Sequence, residues 1–381
     1  MGGLIKKIKF LKKFTTLLDI KKISLFYSIN WQVFIIFISI SIVCLFFDFY
    51  LQNINLTVSF LFTTLLSSII TFISIPKLKK IKIKQIIREE GPKKHFLKKG
   101  TPTMGGIFFI PLGIIISNVL YINQNNYEII VTLSFLIILF MFIGLIDDLL
   151  SLKKQFNTGL NSNQKLILQL FVSLIFIVIC AKNNFIPNTI EIANNNIYIG
   201  NLIYPLGIFV LLAESNSTNL TDGLDGLLSG CSALIFTGLA IAILIKNPGD
   251  NFTLAPLCIV MAGACMGFLF LNKYPAKLFM GDSGSLAIGA SLGGIGLLSN
   301  NLWSLLIMGG ILAAESISVI IQVSVFKLFK LLKGKGHKFF LMTPIHHHFE
   351  LKGNNETQIV TSFWFITLLL VIINLIFFIK T

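Results

Sequence analysis

Residues 215–226 read Ser-Asn-Ser-Thr-Asn-Leu-Thr-Asp-Gly-Leu-Asp-Gly, a polar, acidic patch between two stretches apolar enough to enter a bilayer. Its carboxylates, Asp222 and Asp225, stand three apart, a spacing that on a helix puts both on one face, with Asn219 one turn earlier. Acids at the edge of hydrocarbon are costly and are usually kept for chemistry or transport. The same arrangement recurs elsewhere. Asp147-Asp148, Met280-Gly281-Asp282-Ser283-Gly284-Ser285 and Pro344-Ile345-His346-His347-His348 each border another apolar run. The expected fold is an all-α polytopic membrane protein whose polar chemistry gathers at helix ends.

Composition agrees. At 55% hydrophobic and 12% charged residues, the chain lies outside the range of soluble globular domains. Eleven candidate spans of roughly 15–25 residues follow one another. They are Ile29–Tyr50, Leu56–Pro76, Gly105–Ile122, Ile129–Ile146, Leu166–Ala181, Asn201–Glu214, Leu227–Lys246, Leu254–Leu271, Ser285–Leu298, Leu302–Phe326 and Gln358–Ile379. Asn201–Glu214 and Ser285–Leu298 are short for full spans. The first stretch is too long for a cleaved signal peptide and lacks a small-residue cleavage site.

The net charge of +15 raises the question of nucleic acid, and its distribution answers it. Threading the spans alternately from a cytoplasmic N-terminus puts all Lys and Arg on one side except Lys182, Lys246 and Lys380. That is the positive-inside asymmetry of a membrane protein. The expected surroundings are the lipid bilayer, with no nucleic acid. The same threading brings every acidic and His patch to the basic, cytoplasmic side. Residues 182–200, where Ile190, Ile192, Ile197 and Ile199 alternate around Asn-rich turns, predict a small hairpin on the far side. Five scattered cysteines read as buried hydrophobes.

Asp147-Asp148 closes the Ile129–Ile146 span. Adjacent residues on a helix point about 100° apart, so the two carboxylates are expected to divide their work. Acids are disfavoured by the dipole at a helix C-terminus, which argues against a merely solvated end. Lys165, just before the next span, offers a cation to phosphate. Asp282 lies between glycines, where backbone N–H groups can approach phosphate and a lone carboxylate suits Mg²⁺. A plain helix-start turn capped by Ser283 fits the same residues. His346, His347 and His348 form a run in a loop, with Lys335 and Lys338 upstream. They lack zinc spacing and read as an anion-binding rim, a proton relay or a solvated basic loop. Lys98-Lys99-Gly100-Thr101-Pro102-Thr103-Met104-Gly105-Gly106 can wrap a phosphate or serve as a plain loop. Glu315, mid-span, either faces a functional interior or holds helices together. Acids for Mg²⁺, cations for phosphates and a site at the lipid surface point to phosphoryl transfer from a nucleotide to a membrane lipid.

The motifs Asn219-Leu-Thr-Asp222-Gly-Leu-Asp225-Gly, Phe279-Met-Gly-Asp282, Thr101-Pro-Thr-Met-Gly-Gly and Pro344-Ile-His-His-His-Phe-Glu350-Leu-Lys-Gly resemble the phospho-N-acetylmuramoyl-pentapeptide transferase family. This is the MraY translocase branch of the polyprenyl-phosphate N-acetylhexosamine-1-phosphate transferases. The resemblance covers residues 56–381 in motif order. It implies ten to eleven transmembrane helices, an active site on the cytoplasmic face of the bacterial inner membrane, and Mg²⁺ as cofactor. The implied reaction moves phospho-MurNAc-pentapeptide from UDP-MurNAc-pentapeptide to undecaprenyl phosphate, giving lipid I and UMP. By the same resemblance Asp147, Asp148, Asp282 and His346 form the catalytic set, with Asp282 the metal ligand. Lys98, Thr103, Lys165, Asn219, Asp222, Asp225, Asn272, Phe279, His347 and His348 are the implied substrate-binding residues. Oligomeric state stays open, a homodimer included.

This sequence departs from the family at Ser151, where members commonly carry Lys; Lys153 or Lys154 stands nearby as a substitute. Residues 1–55 read as a basic extension adding a transmembrane or interfacial helix. Two rivals remain: a sibling transferring N-acetylglucosamine-1-phosphate, and an ion-coupled transporter. The latter would place acids at the bilayer midplane and repeat its halves, and no internal repeat is present.

Overall fold

The structure, a computed structural model, describes residues 20–51, 55–80, 98, 100–123, 126–154, 159–192, 195–246 and 254–380. The Lys-rich stretch 6–13 therefore lies outside the described residues. The described residues are helical almost throughout. In order come α1 (Ile20–Leu51), α2 (Leu56–Lys80), α3 (Gly106–Leu120), α4 (Tyr127–Lys154) and α5 (Ser162–Lys182). A hairpin of β1 (Thr189–Ile192) and β2 (Asn195–Tyr198) follows. Then come α6 (Ile203–Thr221), α7 (Leu227–Lys246), α8 (Leu254–Asn272), α9 (Asp282–Leu298), α10 (Leu302–Met308), α11 (Gly310–Lys333), α12 (Ile345–Leu351) and α13 (Glu356–Lys380).

Among the described residues, eight helices are long and apolar enough to cross a membrane: α1, α2, α4, α5, α7, α8, α11 and α13. The shorter α3 is apolar as well. α6 falls outside that set because its Ser- and Asn-rich end dilutes its apolar character, and α9 because it is only 17 residues long. The expected hairpin is present, antiparallel with Ile190 opposite Ile197.

α7 and α8 are apolar on all sides and 89% buried over their most hydrophobic windows, which makes them the centre of the bundle. α9 is buried from Ser283 to Leu298 and packs against α3, α4 and α6. Its small residues allow that closeness. Gly106 of α3 meets the Gly284 backbone so tightly that a Cβ there would lie 2.2 Å from the Gly284 nitrogen. The outer helices α1, α2 and α5 show long apolar side chains outward, Phe34, Phe62 and Phe171 among them, as lipid-facing helices do. α1 packs on α2, and Asp48 near its end accepts the backbone N–H groups of Leu56 and Thr57 (2.7 and 2.8 Å), capping α2.

Four local expectations are corrected. α4 runs on to Lys154, so Asp147 and Asp148 sit about two turns before its end and the C-terminal dipole argument does not apply. α6 ends at Thr221, so Asn219 is helical while Asp222 and Asp225 lie in the turn after it, not on a shared helix face. The expected span Leu302–Phe326 is broken at Gly309 into α10 and α11. The His run is not a loop; it forms the short helix α12.

Candidate active site

The first turn of α9 organises the site. Gly281 precedes it with φ +76°, a left-handed backbone that favours glycine. Asp282, the first helical residue, thus sits on a helix start and not within a loop. Asp148 of α4 accepts the N–H of Asp282 (3.0 Å) with one carboxylate oxygen and that of Ser283 (3.1 Å) with the other. It therefore caps α9, a role expected of Ser283, whose own hydroxyl has no partner. Gly144, one turn before Asp148, lets α4 approach. A Cβ at Gly144 would lie 2.1 Å from the Asp282 carbonyl oxygen.

Lys165, in the first turn of α5, places its ammonium 2.5 Å from Asp282 Oδ2 and 3.4 Å from Asp147 Oδ2. Asp147 Oδ1 accepts the Leu160 N–H at 2.8 Å. The two adjacent aspartates thus divide as their 100° separation suggested: Asp148 holds α9, and Asp147 faces Lys165. Lys153 is exposed. Asn219 donates to Ser285 Oγ (3.0 Å), tying the end of α6 to α9. Asp222 lies within electrostatic reach of Asp282, Asp148 and Asp225. Burial first, then those like charges, hold its carboxyl well above the usual carboxylate range.

A second cluster adjoins the first. Lys98 Nζ is 2.6 Å from both Asp225 Oδ1 and Glu356 Oε1. Asp225 Oδ2 accepts the Ala276 N–H (2.9 Å), and Glu356 Oε1 accepts the Asp225 N–H (2.8 Å). Burial works against the Lys98 ammonium, but the two carboxylates outweigh it and raise its pKa. Asn272, at the end of α8, accepts from Gly226 N–H and Ser229 Oγ and donates to the Leu278 carbonyl. It joins the Asp225 turn to the segment carrying Phe279. The Phe279 N–H donates to the Pro102 carbonyl and its carbonyl accepts from Gly105, both at 2.9 Å, which aligns buried Thr103 with the α9 start.

The three histidines part company. His346 is fully buried, its Nδ1 3.0 Å from Glu315 Oε1 of α11. With a carboxylate at Nδ1, that nitrogen carries the proton, and Nε2, which has no hydrogen-bond partner, is turned to Gly223. A Cβ on Gly223 would lie 2.3 Å from Nε2, so glycine there gives the ring access to the Asp222–Asp225 turn. His347 pairs with Glu350 at 2.7 Å, and His348 Nδ1 accepts the Leu341 N–H at 3.2 Å. His346 thus faces the Asp222–Asp225 turn, while His347 and His348 make their contacts with Glu350 and Leu341.

Comparison with known proteins bears on this constellation. Phospho-N-acetylmuramoyl-pentapeptide-transferase signature 1 matches residues 98–110, and the model for glycosyl transferase family 4 matches residues 130–300. A phospho-N-acetylmuramoyl-pentapeptide-transferase of Prochlorococcus marinus (strain NATL2A) is 76% identical over 371 residues, 97% of this chain and 100% of the relative. Another, from Synechococcus sp. (strain CC9605), is 46% identical over 330 residues, 86% of this chain and 94% of the relative. The chain belongs to the phospho-N-acetylmuramoyl-pentapeptide-transferase family. The two matched stretches hold Lys98, Thr103, Asp147, Asp148, Lys165, Asn219, Asp222, Asp225, Asn272, Phe279 and Asp282.

The donor set bears on the metal that family resemblance implies. Lys165 pairs with Asp147 and Asp282, and Lys98 with Asp225 and Glu356, so four carboxylates meet two ammonium groups, with Asp148 and Asp222 beside them. Among the described residues no group of three or more His, Cys, Asp or Glu stands ready as a full metal cage. A carboxylate surplus without a cage fits Mg²⁺, which takes one or two carboxylates together with water and phosphate oxygens. Asp148 uses both oxygens on backbone N–H groups, Asp147 uses one on the Leu160 N–H, and Asp282 gives one to Lys165. Sequence reasoning missed Glu356 altogether, and it left Glu315 undecided. The only signal for Glu356 was an acid at a helix start.

Proposed function

We propose that this chain transfers phospho-MurNAc-pentapeptide from UDP-MurNAc-pentapeptide to undecaprenyl phosphate, forming lipid I and releasing UMP. The reaction takes place at the cytoplasmic face of the bacterial inner membrane. What carries the reading is the Asp147–Lys165–Asp282 cluster at the start of α9, inside the stretch shared with the family.

An oxygen of the lipid phosphate attacks the sugar-bound phosphorus, and the bond from that phosphorus to the UMP oxygen breaks. Such a transfer asks the protein mainly for position and charge neutralisation. Lys165 is the cation nearest the carboxylates and faces the transferred group. Asp282 would hold Mg²⁺, which would supply neutralisation of the diphosphate charge. Asp147 takes any proton still on the lipid phosphate, a small task because a phosphate monoester has a second pKa of about 6. Asp148 fixes the α9 start, and His346, oriented by Glu315, offers Nε2 to the substrate side. Direct attack is favoured over a covalent Asp282 intermediate because the lipid already brings an anionic nucleophile.

The test measures UMP release from UDP-MurNAc-pentapeptide with and without undecaprenyl phosphate. Lipid-dependent release is the expected result; release from UDP-N-acetylglucosamine instead would move the chain to the sibling activity. Exchange of labelled UMP into the UDP-sugar, in enzyme stripped of polyprenyl phosphate, would establish the covalent route.

A further inference from the structure

We infer that Glu356 is a positioning residue that sets Lys98 and the Asp225 turn for the nucleotide half of the substrate. The inference rests on the proposed activity, and it takes the Lys98–Asp225–Glu356 cluster, which lies beside the Asp147–Lys165–Asp282 cluster, as the place of the UDP moiety. Glu356 stands in the first turn of α13, far in sequence from both partners, yet its Oε1 receives the Lys98 ammonium at 2.6 Å and the Asp225 N–H at 2.8 Å. One partly buried oxygen thus joins three segments: the approach to α3, the turn after α6 and the start of α13. Asp225 is held on every side, by Lys98 at Oδ1, by Ala276 N–H at Oδ2 and by Glu356 at its own N–H.

Without Glu356, Lys98 would answer to Asp225 and to the attraction of Asp222, whose carboxyl already feels its charge. Asp222 neighbours the reacting cluster, so a lysine drawn that way would leave the nucleotide side. The turn would lose its N–H anchor at the same moment. Among the described residues, Glu356 makes no hydrogen bond or ion pair with Asp147, Lys165 or Asp282, so its loss should weaken binding of one substrate more than the chemical step.

Steady-state kinetics of the full chain in detergent, varying each substrate in turn, separates these effects. Loss of charge-assisted hydrogen bonds from a buried carboxylate should raise KM for UDP-MurNAc-pentapeptide about tenfold in Glu356→Ala. KM for undecaprenyl phosphate should stay unchanged and kcat should change little. Glu356→Gln, which keeps an acceptor oxygen, should recover part of the loss. In a Lys98→Gln background, Glu356→Ala should cost much less than it does alone. Equal increases in both KM values, a fall in kcat alone, or full additivity with Lys98→Gln would each overturn the inference. If Glu356→Ala does not fold, Glu356→Gln alone and in the Lys98→Gln background carries the same comparison. A wild-type chain inactive on UDP-MurNAc-pentapeptide would instead sink the activity itself.

Discussion

Asp147 and Asp148 differ by one position in the sequence and by their whole surroundings in the fold. Asp148 accepts two N–H groups at the positive end of α9, while Asp147 faces Lys165. Asp148→Asn can keep only one of those acceptor contacts and loses the charge. It should therefore cost about 1 kcal/mol of stability as well as most of the activity. Asp147→Asn should cost activity with little change in melting temperature. Thermal unfolding in detergent beside UMP release checks the pair, and identical melting curves would remove the capping argument. Asp222 provides a pH signature. Its native carboxyl binds a proton more tightly than the unfolded one, so the native state loses stability as pH rises from the ordinary carboxylate range through the raised value. Asp222→Asn escapes that loss. It should melt higher than wild type at pH 8, with the difference shrinking towards pH 4, and should lose activity; a pH-independent difference in melting would refute the account. Residue types at the site were legible in the sequence because acids beside apolar runs need a reason. Their partners were not: Glu315 with His346, and Glu356 with Lys98, are brought together only by the packing of distant helices.

At the level of helices, the site depends on how closely α4 and α9 approach. Gly144 is where that approach is tightest, and the contact is with the carbonyl of Asp282 itself. Gly144→Ala should destabilise by roughly 1–3 kcal/mol through overpacking. It should also displace Asp282 from Lys165, so that activity falls further than stability explains. Assay well below the melting temperature, beside a calorimetric scan, distinguishes the two; full activity in the folded variant would show that the crossing tolerates a methyl group. Helix existence was readable from apolar run length, but helix ends were not. The Asp147-Asp148 pair looked like a terminus because hydropathy falls there, yet α4 continues through Leu149 and Leu150 to Lys154. The break at Gly309 was hidden in an unbroken apolar run. The His run looked irregular because three adjacent imidazoles carry no periodicity, although Pro344 ahead of them is a reasonable helix entry.

Across the whole molecule, charge asymmetry and architecture lead to one arrangement. Threading from a cytoplasmic N-terminus puts most lysines on the side of α12 and the Lys98 approach, and the hairpin of β1 and β2 on the opposite face. Such an orientation is read by counting charges between apolar runs, with no knowledge of packing, and labelling tests it. All five native cysteines are buried, so a single introduced surface cysteine would be the only reactive thiol. Lys352, exposed just after α12, and Tyr198, 75% exposed on the hairpin, are suitable probes of the two faces. In intact spheroplasts, a membrane-impermeant maleimide should label Tyr198→Cys at once and Lys352→Cys only after permeabilisation. A third probe at Lys9, in the basic extension, should behave like Lys352 if Trp31–Leu51 crosses the bilayer. Immediate labelling at Lys9 with protection at Lys352 would place both ends of that first stretch on the outer side, leaving it in the interface. Immediate labelling at Lys352 would invert the molecule and put the site on the side that a UDP-sugar does not reach.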